Sequence, residues 1–75
     1  MVKKSGEAFM ANKVSENIRR IRQEKGISQD RLSKDADLAL NTVVKIENDE
    51  NTNPTIETLQ KIAIALGVKV EELFK

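Results

Sequence analysis

Residues 37–48 of the chain read DLALNTVVKIEN, and the pattern of this stretch governs how the rest of the sequence is interpreted. Val43 and Ile46 recur at helical spacing and predict a stripe that faces the core. Leu40 and Val44 lie about 60° and 100° round the helix from Val43, at the edge of its polar arc. Apolar side chains in that position either widen the core stripe or serve a surface that contacts another molecule, and the pattern alone leaves both open.

The composition limits the classes to which the chain can belong. Seventy-five residues make one domain, near the lower limit for a fold without a covalent or metal crosslink. The chain has no Cys and no His, so disulfides are excluded and the usual ligands of a structural zinc ion are missing. We therefore expect no metal site, no cofactor and a core built from aliphatic packing.

Two further classes are not expected. No apolar run approaches the roughly 20 residues of a membrane span, and no signal-peptide pattern opens the chain, which favours a cytoplasmic protein without a membrane partner. Without His, Cys or Tyr, catalysis would fall to Ser, Lys and carboxylates, and no pair of these stands at a readable spacing. An enzyme is the least expected class, and no small-molecule ligand is evident.

The net charge of +1 conceals an uneven distribution along the chain. Residues 1–34 carry nine basic and four acidic side chains, a net +5, whereas residues 35–75 carry four basic and eight acidic ones, a net −4. Segregated charge of this kind is typical of a polyanion-binding face. Ordinary solvated helix faces produce the same numbers, so the charge alone does not decide.

Hydrophobic spacing predicts an all-α domain over residues 13–75, because no segment has the period-two alternation of a half-buried strand. Residues 1–12 show no sustained period, and we interpret them as a flexible N-terminal arm or extension. The predicted helices are about 13–25, the segment capped by Ser28, about 40–48, the segment between Thr55 and Gly67, and about 70–74. Only residues 37–39 join the second helix to the third, which is the length of a helix-turn-helix connection.

With these elements in order, the sequence resembles the phage-repressor and Cro-like (XRE-type) helix-turn-helix family. The resemblance covers about residues 14 to 74 and is carried by IRRIRQEKGISQDRLSKDA, NTVVKIEN, NPTIETLQKIAIALGV and EELF. It implies a compact five-helix domain, with the helix-turn-helix formed by helices two and three. It also implies that the third helix enters the major groove of double-stranded DNA.

The resemblance also assigns roles to single residues: base contacts to Leu40, Asn41, Val44 and Lys45, phosphate contacts to Gln29, Thr42 and Asn48, and a structural ion pair to Arg22 and Glu47. The side-chain chemistry agrees with the base contacts, since an Asn amide can bond adenine and apolar groups can touch the thymine methyl. We therefore expect half-sites that lean towards A and T.

Geometry makes Glu47 unusual without any family comparison. It lies about 40° from Val43, on the inward side of the third helix. An unpaired carboxylate there would cost several kcal/mol, so a partner is needed. Arg22 on the first helix can supply it through a bidentate guanidinium.

Two departures from the family pattern reduce the expected affinity of one copy for DNA. Ala39 stands where Ser or Thr commonly caps the third helix, and Asp49 and Glu50 place negative charge next to the expected phosphate track. Modest affinity favours a homodimer on a pseudo-palindromic operator, with the two third helices about 34 Å apart. The residues expected to form the dimer interface are Ile64, Val68, Val70 and Phe74. The alternative is that Val70 and Phe74 belong to the core.

The sequence leaves three functions open. The first is a sequence-specific transcriptional regulator acting as a homodimer, of the small-repressor or restriction–modification controller type. The second is the DNA-binding antitoxin of a toxin–antitoxin pair. The third is a helical protein-interaction module that does not read DNA.

Overall fold

The computed structural model describes residues 5–49 and 54–75 for the backbone and residues 13–49 and 54–75 for side chains, and every regular element within them is a helix. The elements are α1 (Ser5–Glu24), α2 (Gln29–Asp35), α3 (Leu40–Glu47), α4 (Ile56–Leu66) and a 3-10 helix (Val70–Phe74). The predicted all-α class is therefore correct for the described residues. The predicted count of five helices is not confirmed, because the described residues form four α-helices followed by a 3-10 helix.

The 3-10 helix follows from the shortness of its segment. It has five residues, and Glu72 N donates to Lys69 O at 2.9 Å, a bond between residues three apart. So short a segment gains little from i to i−4 bonds, whereas one tight turn is enough to bury Leu73 completely.

The first helix begins well before the predicted start at about residue 13. The backbone is already helical at Ser5, so eight of the twelve residues that we interpreted as an arm extend α1. Once a helix has nucleated, each added residue needs no periodic apolar pattern, and Glu7, Ala8, Met10 and Ala11 are good helix formers. Residues 1–4 and the side chains of residues 5–12 lie outside the described residues, and the flexible-arm interpretation stays a prediction for that segment.

The helix N-termini follow the predicted capping chemistry. Ser28 Oγ accepts a hydrogen bond from Arg31 N at 3.0 Å, and Thr55 Oγ1 accepts one from Thr58 N at 3.1 Å. Ala39 has the same extended backbone, with φ −69° and ψ 145°, but no side chain that could cap α3. The third helix is therefore the one of these three that starts without a side-chain cap.

A left-handed residue reverses the chain between α2 and α3. Asp37 has φ 59°, Asp37 N donates to Lys34 O at 3.2 Å, and Leu38 N donates to Ser33 O at 2.8 Å. This is the bonding pattern of a Schellman motif, in which the left-handed position is usually glycine. Aspartate tolerates that conformation better than most residues, so the connection stays short.

The core lies where α1, the helix-turn-helix and the C-terminal half of the chain meet. Its buried apolar residues are Ile18, Ile21, Leu32, Ala36, Val43, Ile46, Leu59, Ile62, Ala63, Leu66 and Leu73. Val68 and Val70 are half-buried against this core, whereas Ile64 is 79% exposed and Phe74 is 44% exposed. None of the helices in the described part of the chain combines the length and apolar character needed to cross a bilayer.

Capping gives a matched pair of stability predictions. Ala39→Ser should raise the free energy of unfolding by about 1 kcal/mol, because residue 39 already has the backbone conformation in which a hydroxyl accepts an N–H of α3. Ser28→Ala should lower it by about 1 kcal/mol, because the bond to Arg31 N is lost. Urea denaturation measures both. Ala39→Ser with wild-type stability would contradict the prediction.

Candidate nucleic-acid interface

The C-terminal end of α3 is bonded to side chains of α1. Ser15 Oγ donates to Ile46 O at 2.6 Å, and Arg19 Nη1 donates to Glu47 O at 2.8 Å. The last carbonyls of a helix have no partner within the helix, so these bonds supply acceptors with the donors they need. The two helices are thereby fixed at the end of α3 that is furthest from Ala39.

The carboxylate of Glu47 is the second point of attachment. Glu47 is 2% exposed; Arg22 Nε donates to its Oε2 at 2.6 Å, and Arg22 Nη2 donates to its Oε1 at 3.0 Å. Gln29 Nε2 also donates to Oε1 at 3.0 Å, and Arg22 Nη1 donates to Ile27 O at 2.8 Å. The ion pair implied by the family resemblance is thus present, and it joins α1, α2 and α3 at one carboxylate.

Ser15, Arg19 and Arg22 together form what we name the α1 clamp. They follow one another at i, i+4 and i+7, so they lie on one side of α1. Sequence analysis assigned Arg22 but gave no role to Ser15 or Arg19. The signal available in the sequence was their spacing, which is that of Val14, Ile18 and Ile21 shifted by one residue along the chain.

The outward face of α3, which we define as Leu40, Asn41, Val44 and Lys45, is open to solvent in the single chain. Asn41 and Lys45 are exposed, Leu40 is 44% exposed and Val44 is half-buried. The opposite side is buried through Val43, Ile46 and Glu47. Within the described residues Lys45 forms no ion pair, so its charge is not neutralised by a neighbour.

The residues expected to contact phosphates flank this face. Thr42 is half-buried and Asn48 is exposed at the C-terminal end of α3. Gln29, the first residue of α2, is half-buried and uses an amide N–H on Glu47. All three stay predictions as phosphate contacts, but each is placed on or beside the helix that carries the outward face.

Exposed ion pairs join basic to acidic side chains within α1 and within α2. They join Arg20 to Glu24 at 3.4 Å, Arg31 to Asp35 at 3.1 Å and Lys34 to Asp30 at 3.3 Å. All of them are solvent-exposed and four residues apart on one helix, so each adds little stability. Arg31 and Lys34, the basic residues of α2, are both paired with carboxylates of the same helix, so α2 itself carries no surplus positive charge.

Asp49 keeps a negative charge next to α3. It has φ 63°, is half-buried, and its Oδ1 has no hydrogen-bond partner among the described residues. A carboxylate beyond a helix C-terminus lies at the negative end of the helix dipole, which is unfavourable. Glu50, the second acidic residue of concern, lies outside the described residues.

A family model described as helix-turn-helix matches residues 18–73, which is most of the chain and includes α2, α3 and α4. The chain belongs to the XRE-type helix-turn-helix family. The family suggested by the sequence is therefore confirmed.

Curated relatives of this helix-turn-helix chain carry regulatory names. It is 35% identical over 60 residues to the HTH-type transcriptional regulator SinR of Bacillus subtilis, covering 80% of this chain and 54% of SinR. It is 35% identical over 57 residues to the HTH-type transcriptional regulator SlrR of Bacillus subtilis, covering 76% and 38%. It is 35% identical over 60 residues to the immunity repressor protein of Bacillus phage phi105, covering 80% and 41%.

The chain spans about half the length of these relatives, or less. No solved structure matches the chain significantly.

Removing Arg22 should be costly. Arg22→Ala leaves the buried Glu47 carboxylate without its cation, and we expect the free energy of unfolding to fall by about 3 kcal/mol. Arg31→Ala is the matched control, because it breaks an exposed pair and should cost less than about 1 kcal/mol. Thermal and urea denaturation measure both. Similar losses for the two variants would show that the buried pair has no special role.

Proposed function

We propose that the chain is a sequence-specific DNA-binding transcriptional regulator that inserts α3 into the major groove of double-stranded DNA. The observation that carries the proposal is the division of α3 between a buried, clamped side and the open outward face. Membership of the helix-turn-helix family and the names of the relatives support the same function. Among regulators, the small-repressor type is favoured by the similarity to a phage immunity repressor.

The outward face has the chemistry to read base edges. The Asn41 amide can donate to N7 and accept from N6 of adenine, and the methyl groups of Leu40 and Val44 can contact the C5-methyl of thymine. Lys45 can reach O6 and N7 of guanine or a phosphate oxygen. An operator rich in A and T at the centre of each half-site follows from this set.

Gln29 has the capacity to connect a phosphate to the protein interior. A glutamine amide has two N–H donors and one carbonyl acceptor, and the bond to Glu47 uses one donor. The other donor can bind a phosphate oxygen while the first holds the side chain in position. Thr42 on α3 and Asn48 at its C-terminal end add neutral donors, and such phosphate contacts fix the register on DNA without reading its sequence.

The proposed active form is a homodimer. Ile64 and Phe74 are the exposed members of the predicted interface, whereas Val68 and Val70 are half-buried against the core. A two-fold axis through such a patch presents two copies of α3 to a pseudo-palindromic operator. Two copies also compensate for the weak attraction of one chain that carries a net charge of +1.

DNA binding is tested by selecting bound sequences from a random pool and titrating the selected DNA against salt. Affinity should fall steeply as salt rises from about 50 to 200 mM, because phosphate contacts release counterions. Asn41→Ala should lose about 1–3 kcal/mol of discrimination at one base position. Gln29→Ala should weaken all sequences alike, whereas Gln23→Ala, an exposed glutamine at the end of α1, should change nothing.

Two results of this experiment would contradict the proposal. If the protein is not retained on any DNA at about 50 mM salt, where electrostatic binding is strongest, it is not a DNA-binding regulator. If G/C-only half-sites are selected, the assignment of Leu40, Asn41 and Val44 to base contacts is wrong.

The homodimer is tested with two exposed isoleucines of α4. Ile64→Asn should raise the dimer dissociation constant by about tenfold or more and reduce affinity for a full operator, because it places an amide in the predicted apolar interface. Ile56→Asn, at a residue that is 58% exposed but outside that interface, is the control and should leave both unchanged. Sedimentation equilibrium measures the dissociation constant. Equal effects of the two variants would place the interface elsewhere.

A further inference from the structure

We propose that Ser15 and Arg19 are positioning residues for DNA recognition, because their bonds to the last carbonyls of α3 set the angle at which the outward face meets DNA. This inference rests on the proposed function. It assigns a role in binding to two residues of α1 that need not touch DNA.

The start of α3 has no side-chain anchor. It has eight residues, and Ala39 provides no side-chain cap. A helix of that length is marginal on its own, so its direction depends on tertiary contacts. Val43 and Ile46 pack into the core, but apolar contacts are not directional and allow the helix to tilt.

Directional hydrogen bonds are concentrated at the C-terminal end of α3. Ile46 O accepts from Ser15 Oγ at 2.6 Å and from Asp49 N at 3.1 Å, and Glu47 O accepts from Arg19 Nη1 at 2.8 Å. The guanidinium of Arg19 also carries a positive charge to the negative end of the α3 dipole. These bonds act on the backbone of α3, so they orient the whole helix rather than one side chain.

The hydrogen bond from Ser15 to Ile46 O is buried. Ser15 is 5% exposed, and its hydroxyl reaches a carbonyl 31 residues away in sequence. A buried hydroxyl needs a partner, and the carbonyl of α3 is the partner that this structure supplies. The position of α3 is therefore tied to that of α1 at an interior point.

The experiment uses Ser15→Ala, Arg19→Met and matched controls in the full chain. Ser33→Ala removes another buried serine bonded to a carbonyl, but that carbonyl is Asp30 O within α2. Arg31→Met removes an exposed arginine of α2, which pairs with Asp35 on the surface. The dissociation constant is measured for the selected operator and for scrambled DNA, at several salt concentrations well below the melting temperature.

We expect Ser15→Ala and Arg19→Met each to weaken operator binding by about fivefold, the equivalent of one lost hydrogen bond. Binding to scrambled DNA should change no more than in the matched controls, and the salt dependence of operator binding should keep its slope. A role confined to stability would lower the melting temperature and leave operator affinity at wild-type values, which would overturn the proposal. A direct phosphate contact by Arg19 would weaken both DNAs and reduce the slope by about one, which would also overturn it.

A measurement without DNA separates this inference from the proposed function. Amide hydrogen exchange should accelerate over residues 44–48 in Ser15→Ala and Arg19→Met, and not in the Ser33→Ala and Arg31→Met controls. If the wild-type protein selects no DNA sequence, the proposed function fails and the positioning role for DNA fails with it, although exchange still shows whether the bonds hold α3. If the protein selects DNA but α3 exchanges as in wild type, the function stands and the positioning role is wrong.

Discussion

The carboxylate of Glu47 is the point on which the arrangement of the first three helices depends. It is buried in a domain of 75 residues, and it is tolerated because Arg22 and Gln29 satisfy it with three hydrogen bonds. An apolar side chain would fill the same space, and replacing buried ion pairs in this way is often neutral for stability. It would not prescribe which side chains of α1 and α2 must face α3. The ion pair therefore specifies orientation in a fold whose apolar contacts are not directional.

The first helix connects the two surfaces that the proposed function requires. On one side, the α1 clamp holds α3 by its last carbonyls and by Glu47. On another, the buried side chain of Asn17 donates to Leu73 O at 2.9 Å and accepts from Arg20 at 3.1 Å, which ties down the 3-10 helix next to Phe74. The third helix and the proposed dimer surface thus both depend on α1, so a two-fold axis through that surface would fix the spacing of two copies of α3.

Hydrogen bonds within one helical turn were predictable from the sequence, whereas bonds that depend on the angle between helices were not. Ser28 and Thr55 cap helices because an N-cap needs only the bonds of its own turn, and the need of Glu47 for a partner followed from its place on the helix. The bonds from Ser15 and Arg19 depend on the angle between two helices, which periodicity does not contain. The surface pairs of α2 were readable as i, i+4 spacings, and including them would have lowered the weight given to the uneven charge.

The apolar edge of α3 is explained by the unequal exposure of its members. Val44 is half-buried, so its methyl groups serve the core and the outward face together, and any change there has to satisfy both. Asn41 and Lys45 are exposed and have no structural bond within the described residues, so their side chains can differ without disturbing the fold. Because the inward side is held by directional bonds, Asn41 and Lys45 can serve the proposed DNA recognition without a cost in stability. A short helix can combine these roles only if its backbone is fixed from the other side, and here α1 provides that support.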